Sequence, residues 1–160
     1  MKNIKIESIL TVFDNLNELP KEIVSLMQEA IEARVKAYAP YSKFHVGAAI
    51  LLDNGEIVTG SNQENASYPS GLCAERTAAY YAGAKFPNAK MLKMAITAAS
   101  QNQKTESPIP PCGACRQALA EYEVKQKEPI DIYFMGETGK VVQSKSLANL
   151  LPLVFDKSSL

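Results

Sequence analysis

The placement of its cysteines is the strongest constraint on how this chain can fold. Cys112 and Cys115 are separated by two residues and follow Pro110 and Pro111, whereas Cys73 lies far away in the sequence. Proline is favoured in the first helical turn, and side chains three residues apart share one face of a helix. The pair can therefore bind one metal ion if the fold brings Cys73 to it. Three thiolates leave one tetrahedral position open, which is typical of a catalytic zinc site.

A carboxylate and a cation follow Cys73 closely in the sequence. Residues two apart in the middle of a helix point ~200° away from each other, so Cys73 and Glu75 can serve one ion only if Cys73 stands at the helix entrance. From there Glu75 can carry protons to and from the open metal position. Arg76 can donate hydrogen bonds to thiolate sulfur and withdraw negative charge from the site. A structural zinc clip or plain buried thiols remain the alternatives.

Length and composition favour a single domain that acts on a small molecule. The chain has 160 residues, with 17 Lys plus Arg and 17 Asp plus Glu. This balance provides no basic field for a nucleic acid or a membrane surface. No window approaches the ~18 apolar residues of a membrane span, and an odd number of cysteines argues against a disulfide framework. We expect a cytoplasmic protein with no nucleic-acid or membrane partner.

The hydrophobic pattern predicts an α/β fold. We interpret residues 1–18 as an N-terminal extension that packs on the domain or on a partner, and residues 19–160 as a single domain. The predicted order is helix, β-hairpin, helix, strand, helix, two strands and a short helix. We therefore expect a three-layer α/β/α sandwich with a mixed five-stranded sheet. The predicted elements are a helix over 20–38, strands over 46–52 and 56–59, a helix over 73–84, a strand over 91–99, a helix over 112–125, strands over 130–135 and 141–142, and a helix over 146–151.

Five segments, taken together, carry a resemblance that goes beyond the zinc ligands. The chain resembles the homotetrameric zinc-dependent cytidine deaminases in the order of its motifs, over roughly residues 20–155. This resemblance implies one Zn²⁺ per chain and hydrolysis of cytidine and deoxycytidine to the uridine forms plus ammonia, by a zinc-bound hydroxide, in pyrimidine salvage. The matching segments are 39–44 (APYSKF), 46–49 (VGAA), 62–67 (NQENAS), 73–78 (CAERTA) and 111–117 (PCGACRQ).

The same resemblance implies which residues contact a nucleoside. Asn62 and Glu64 would hold the ribose hydroxyls, and Phe44 would pack against the pyrimidine ring. Ala74 would offer backbone groups to the base. Without the flanking motifs, Asn62 and Glu64 would be ordinary turn residues, and Phe44 could equally belong to the core. His45, the only histidine, opens a predicted strand, and we expect a polar role at the strand end or at the surface.

The C-terminal segment 150–155 (LLPLVF) resembles the family segment whose aromatic residue reaches the pocket of a neighbouring subunit. Phe155, and with it Tyr68, are the candidates for this contact in a homotetramer with shared pockets. A hydrophobic tail that closes its own core is the alternative for Phe155.

Other functions compatible with the sequence are deamination of a modified cytosine nucleoside or nucleoside antibiotic, and a non-enzymatic zinc-stabilised binding module. A structural zinc site has no use for Glu75, which speaks against the binding module. An editing deaminase acting on RNA or DNA would need a basic groove, which the balanced charge does not predict.

Overall fold

The structure is a computed structural model that describes residues 1–160, apart from the side chain of Ser159. Within this part of the chain, a first helix, a β-hairpin, a helix, a strand, a helix, two strands and a short helix follow one another in the order that the sequence predicts. The strands are β1 (Thr11–Phe13), β2 (Phe44–Leu52), β3 (Ile57–Ser61), β4 (Met91–Ser100), β5 (Asp131–Met135) and β6 (Val141–Ser144). The helices are α1 (Lys21–Val35), α2 (Ala74–Lys85), α3 (Gly113–Gln126) and α4 (Leu147–Leu150).

The strands form one mixed sheet in the order β1-β6-β5-β4-β2-β3. Strands β4 and β5 run parallel, in a register that sets Ile96 beside Phe134, and α3 makes the crossover between them. The remaining neighbours pair antiparallel. This arrangement confirms the mixed sheet and the β-hairpin, whose turn holds Gly55 at a φ of 85°.

The predicted number of strands was wrong: the described chain forms six, not five. The additional strand is β1, inside the segment interpreted as an extension, and it pairs with β6 through Val12 and Val142. Asn149 on α4 fixes the approach to β1, because its side chain accepts from the Ile9 N–H at 3.0 Å and donates to the Ile9 carbonyl at 2.8 Å. A strand of three residues at a sheet edge leaves too short a pattern to be recognised from the sequence.

Helices cover both faces of the sheet and give the predicted three layers. Helix α1 buries Ile23 and Met27 on one face, in a cluster that includes Ala49 and Ala95 of the central strands. Helices α2, α3 and α4 contribute to the larger cluster on the opposite face. Because β2 and β4 have buried side chains on both faces, they are apolar along almost their whole length.

One detail of the chain differs from the prediction. The first helix ends at Val35 and not near Tyr38, whose side chain is 54% exposed. His45 lies at the strand end, which is one of its two predicted positions: it is the second residue of β2 and is half-buried. None of the helices in the described chain is both long and apolar enough to cross a membrane.

Candidate metal centre and active site

Two helix entrances meet at the cysteines. Cys73 is the N-cap of α2 and Cys112 is the N-cap of α3, and both have extended backbone conformations. Cys115 lies in the first turn of α3 and is buried. Unpaired N–H groups and the positive end of a helix dipole stabilise negative charge at such positions. The local structure therefore favours thiolates where the sequence places the cysteines.

The three sulfur atoms converge on one point. Cys73, Cys112 and Cys115 have Sγ atoms that all lie within 4.8 Å of one another. The Sγ atoms of Cys73 and Cys112 are 3.8 Å apart. Three soft thiolate donors from two rigid helix starts suit Zn²⁺, and a three-ligand set leaves a coordination position for a reacting molecule. The residues present therefore fit one zinc ion.

Arg76 contacts the thiol cluster directly. Its Nη2 donates to the Sγ of Cys73 at 3.7 Å. The pKa of Cys73 is lowered by the hydrogen bond with the Cys115 thiol and, after it, by Arg76. The pKa of Arg76 is raised in return, mainly by its hydrogen bond to Cys73. A cation therefore compensates part of the negative charge that three thiolates would concentrate here.

Glu75 is a buried carboxyl next to this cluster. It lies in the first turn of α2 and is 4% exposed. Burial raises the pKa of Glu75 to about 7, because removal from water disfavours the charged form. A carboxyl group in such an environment can accept and donate protons near neutral pH, which is the requirement for general acid–base catalysis.

Cys73, Cys112 and Glu75 open onto a cavity of about 580 Å³, whereas Cys115 is buried behind them and does not line it. Most residues predicted to contact a nucleoside line this cavity, together with residues at the thiol cluster: Phe44, Asn62, Glu64, Tyr68, Cys73, Glu75, Arg76 and Cys112. Ala74 is fully buried at the start of α2 and does not line the cavity. The fold thus assembles residues from the start of β2, the end of β3 and two helix entrances around one space.

The side chains of Asn62 and Glu64 are both engaged with the segment that enters β2. Asn62 Oδ1 accepts from the Val46 N–H at 2.7 Å, and Asn62 Nδ2 donates to the Phe44 carbonyl at 2.9 Å. Glu64 Oε2 accepts from the N–H of Tyr41 at 2.9 Å and of Ser42 at 3.3 Å. These hydrogen bonds fix the orientation of the Asn62 amide and hold one oxygen of the Glu64 carboxylate at the cavity.

The structure does not bring Phe155 into the cavity of its own chain. Its side chain is 60% exposed, and it is absent from the described residues that line the cavity. Gln117 of α3 donates its Nε2 to the Phe155 carbonyl at 2.7 Å, so the tail is attached to the helix that carries Cys115. Tyr68 lines the mouth of the cavity and is 78% exposed.

Several cavity-lining residues had no role assigned by the sequence analysis. Tyr41 and Ser42 belong to a recognised motif, but only the fold reveals that their N–H groups hold Glu64. Ile109 comes from the long connection after β4, where no periodic pattern distinguishes it. The lining residues without an assigned role are Tyr41, Ser42, Val46, Gln63, Asn65, Gly71, Leu72, Ile96, Ile109 and Pro110.

The site combines three converging thiols with a buried carboxyl on the wall of a cavity, within a three-layer α/β/α fold. This combination defines the class of zinc-dependent enzymes that act on small molecules. The comparison with known families is more specific. The family described as cytidine and deoxycytidylate deaminase zinc-binding region matches residues 20–127. The chain belongs to this family.

Known relatives are similar over most of their length. A cytidine deaminase of Halalkalibacterium halodurans is 41% identical over 131 residues, which are 81% of this chain and 91% of the relative. A cytidine deaminase of Sporosarcina psychrophila is 38% identical over 87% of this chain and 95% of the relative. The crystal structure of cytidine deaminase from Burkholderia pseudomallei has a TM-score of 0.71 and 36% identity, and covers 86% of this chain and 100% of its own.

Proposed function

We propose that this protein catalyses the hydrolytic deamination of cytidine and deoxycytidine to uridine and deoxyuridine plus ammonia, in pyrimidine salvage. The observation that carries this proposal is the buried carboxyl of Glu75 beside three thiols that lie within 4.8 Å of one another, on the wall of a nucleoside-sized cavity. The relatives named as cytidine deaminases support the same activity.

The reaction replaces the amino group on C4 of cytosine with oxygen from water. Zinc held by Cys73, Cys112 and Cys115 would supply Lewis acidity that makes water a nucleophile near neutral pH. Glu75 would take the proton released from water and give it to the ring nitrogen next to C4. As the C4–N bond breaks, Glu75 would take the proton of the new C4 hydroxyl, which becomes the carbonyl, and give it to the departing amino group, which leaves as ammonia. One carboxyl can perform every transfer, because Glu75 gives up each proton before it accepts the next.

The remaining cavity residues would bind and orient the nucleoside. We assign Glu64 and Asn62 to the ribose, because a carboxylate accepts from sugar hydroxyls and an amide can both donate and accept. Phe44 would pack against the pyrimidine ring. Tyr68 would close the mouth of the cavity.

Charge around the cavity favours a nucleoside over a nucleotide. Glu64, Glu75 and Arg76 are the charged residues among those described as lining the cavity, and Arg76 donates to Cys73. A phosphate group is usually bound by several cationic or N–H donors. A 5′-phosphate would therefore meet two carboxyl groups and no free cation from these lining residues, which disfavours nucleotides and nucleic acids as substrates.

The proposed function is tested by following the loss of cytosine absorbance with cytidine, deoxycytidine, free cytosine, cytidine 5′-monophosphate and a cytosine-containing oligonucleotide. We expect turnover of the two nucleosides and values of kcat/KM at least about a hundredfold lower for the other three, since a site built for sugar hydroxyls discriminates strongly. Efficient turnover of the oligonucleotide or the monophosphate, with none of cytidine, would reject the proposal.

We also propose a homotetramer in which Phe155 of one chain completes the pocket of a neighbour. The exposure of Phe155 and its attachment to α3 through Gln117 support this assembly. A cytoplasmic location is part of the proposal, since three cysteines that serve as metal ligands need a reducing compartment to stay unpaired.

A further inference from the structure

The turn that precedes β2 is unusual in its backbone conformation. Lys43 has a φ of 57°, in the left-handed region that side-chain-bearing residues adopt rarely. Hydrogen bonds hold it on both sides, because the Lys43 N–H donates to the Ala39 carbonyl at 3.2 Å and the Gln101 N–H donates to the Lys43 carbonyl at 2.9 Å. The turn therefore presents its two neighbours, Ser42 and Phe44, in a fixed orientation toward the cavity.

The Ser42 hydroxyl joins two residues that line the cavity, Glu64 and Phe44. It donates to Oε1 of Glu64, and it accepts from the Phe44 N–H at 3.0 Å. The carbonyl of Phe44 is held in turn by the side chain of Asn62. Ser42 thus links the carboxylate assigned to the sugar with the backbone of the aromatic residue assigned to the base.

The lone pairs of the Glu64 carboxylate that no protein group occupies determine where this residue can bind a ligand. A carboxylate oxygen has two lone-pair directions. On Glu64, Oε2 already accepts from two backbone N–H groups, those of Tyr41 and Ser42. On Oε1, the Ser42 hydroxyl takes one direction and leaves the other free. Any sugar hydroxyl bound by Glu64 should therefore donate to Oε1, next to Ser42.

We propose that Ser42 is a positioning residue that selects for the sugar: its hydroxyl aims the free lone pair of Glu64 Oε1 at a ribose hydroxyl. This inference rests on the proposed function, and it assigns the sugar specificity to a residue that need not contact the substrate. Without the Ser42 hydroxyl, Glu64 stays attached through Oε2 alone, and the carboxylate can turn about that attachment so that Oε1 is no longer aimed at the sugar.

The test compares Ser42→Ala with the parent on cytidine, deoxycytidine and 2′,3′-dideoxycytidine, which lacks both ring hydroxyls. We expect the KM for cytidine and deoxycytidine to rise about tenfold, in keeping with one lost hydrogen bond to a charged group, with kcat within about twofold. The KM for the dideoxy analogue should not change. Ser42→Thr, which keeps a hydroxyl, should restore most of the affinity.

A matched control separates this role from a general effect on the turn. Lys43→Gly changes the adjacent residue and keeps the turn, because glycine adopts a positive φ without strain. We expect its KM for cytidine to match the parent. An equal rise of KM in Lys43→Gly and Ser42→Ala, or an equal rise for the dideoxy analogue, would overturn the inference.

The decisive test combines Ser42→Ala with Glu64→Gln in one chain and compares this double variant with Glu64→Gln alone. If Ser42 acts through Glu64, Ser42→Ala should change KM by less than about twofold once Glu64→Gln is present, because the two effects share one interaction. Multiplying effects, or a Glu64→Gln variant with the parent KM, would reject the role of Ser42. Turnover of cytidine by the parent is measured first, so that failure of the proposed function is recognised separately.

Discussion

At the scale of single residues, the chemistry depends on where α2 begins. Glu75 is buried in the first turn of α2, where it directly follows the fully buried Ala74. Cys112 stands at the start of the other helix of the site, α3. Its carboxyl has no salt-bridge partner among the described residues. A buried carboxyl without a fixed counter-ion is costly for stability, and such groups concentrate where proton transfer is needed.

Glu75→Gln is expected to keep the fold and the zinc and to lose at least about a hundredfold in kcat, because general acid–base catalysis contributes ~10²- to 10⁴-fold. Zinc content and turnover of cytidine, measured on the same preparation, check this prediction. Glu121→Gln on the exposed side of α3 is the matched control and should leave both unchanged. A Glu75→Gln enzyme within tenfold of the parent would contradict the role of proton carrier.

At the scale of elements, the sequence predicts those parts of the site that local rules determine. The spacing of Cys73 and Glu75 lets both serve one metal ion only if Cys73 stands at the start of a helix. In the structure, Cys73 is the N-cap of α2. The last helix was predicted to start at residue 146, and Ser146 is its N-cap, whose hydroxyl accepts from the Asn149 N–H at 3.0 Å. Features that depend on distant pairing were missed: β1 exists through contacts with β6, and the hydrogen bond from the Ser42 hydroxyl to Glu64 joins two separate segments of the chain.

Close approach of α1 to the sheet gives a prediction at this scale. A Cβ added at Gly47 would lie 2.0 Å from the Ala30 carbonyl oxygen and 2.5 Å from the Arg34 nitrogen. Gly47→Ala must therefore push α1 away from β2, and we expect it to lower the free energy of unfolding by about 3 kcal/mol. Urea unfolding curves provide the measurement.

Gly113→Ala is the matched control for Gly47→Ala, because a Cβ at Gly113 has no atom within 4 Å. Its stability should equal or slightly exceed that of the parent, since alanine is the better helix former. If both variants unfold at the urea concentration of the parent, the tight packing of α1 on β2 does not contribute to stability.

At the scale of the whole molecule, the open question is whether one chain makes a complete pocket. Phe155 is exposed on its own chain, as are Leu153 and Tyr68. Exposed aromatic and aliphatic side chains that lie together are typical of a surface that a second protein covers. The proposed tetramer would bury them and close the cavity.

Mixing two inactive variants tests the shared pocket. We expect Glu75→Gln and Phe155→Ala chains, dissociated and reassociated together, to regain part of the turnover of cytidine, because some mixed sites combine an intact Glu75 with a neighbour's Phe155. Each variant treated alone is the control and should not recover. A monomer that is fully active at nanomolar concentration would contradict the shared site and leave Phe155 with a role in its own chain.

The most direct test of the central claim is the dependence of activity on zinc. The protein is stripped of metal with a chelator, zinc is returned in fractions of an equivalent, and cytidine turnover is measured at each step. If one ion held by Cys73, Cys112 and Cys115 is required, activity should rise linearly, stop at one equivalent per chain, and stay absent in Cys112→Ala. Full activity of the stripped protein, or equal activity in Cys112→Ala, would contradict this account.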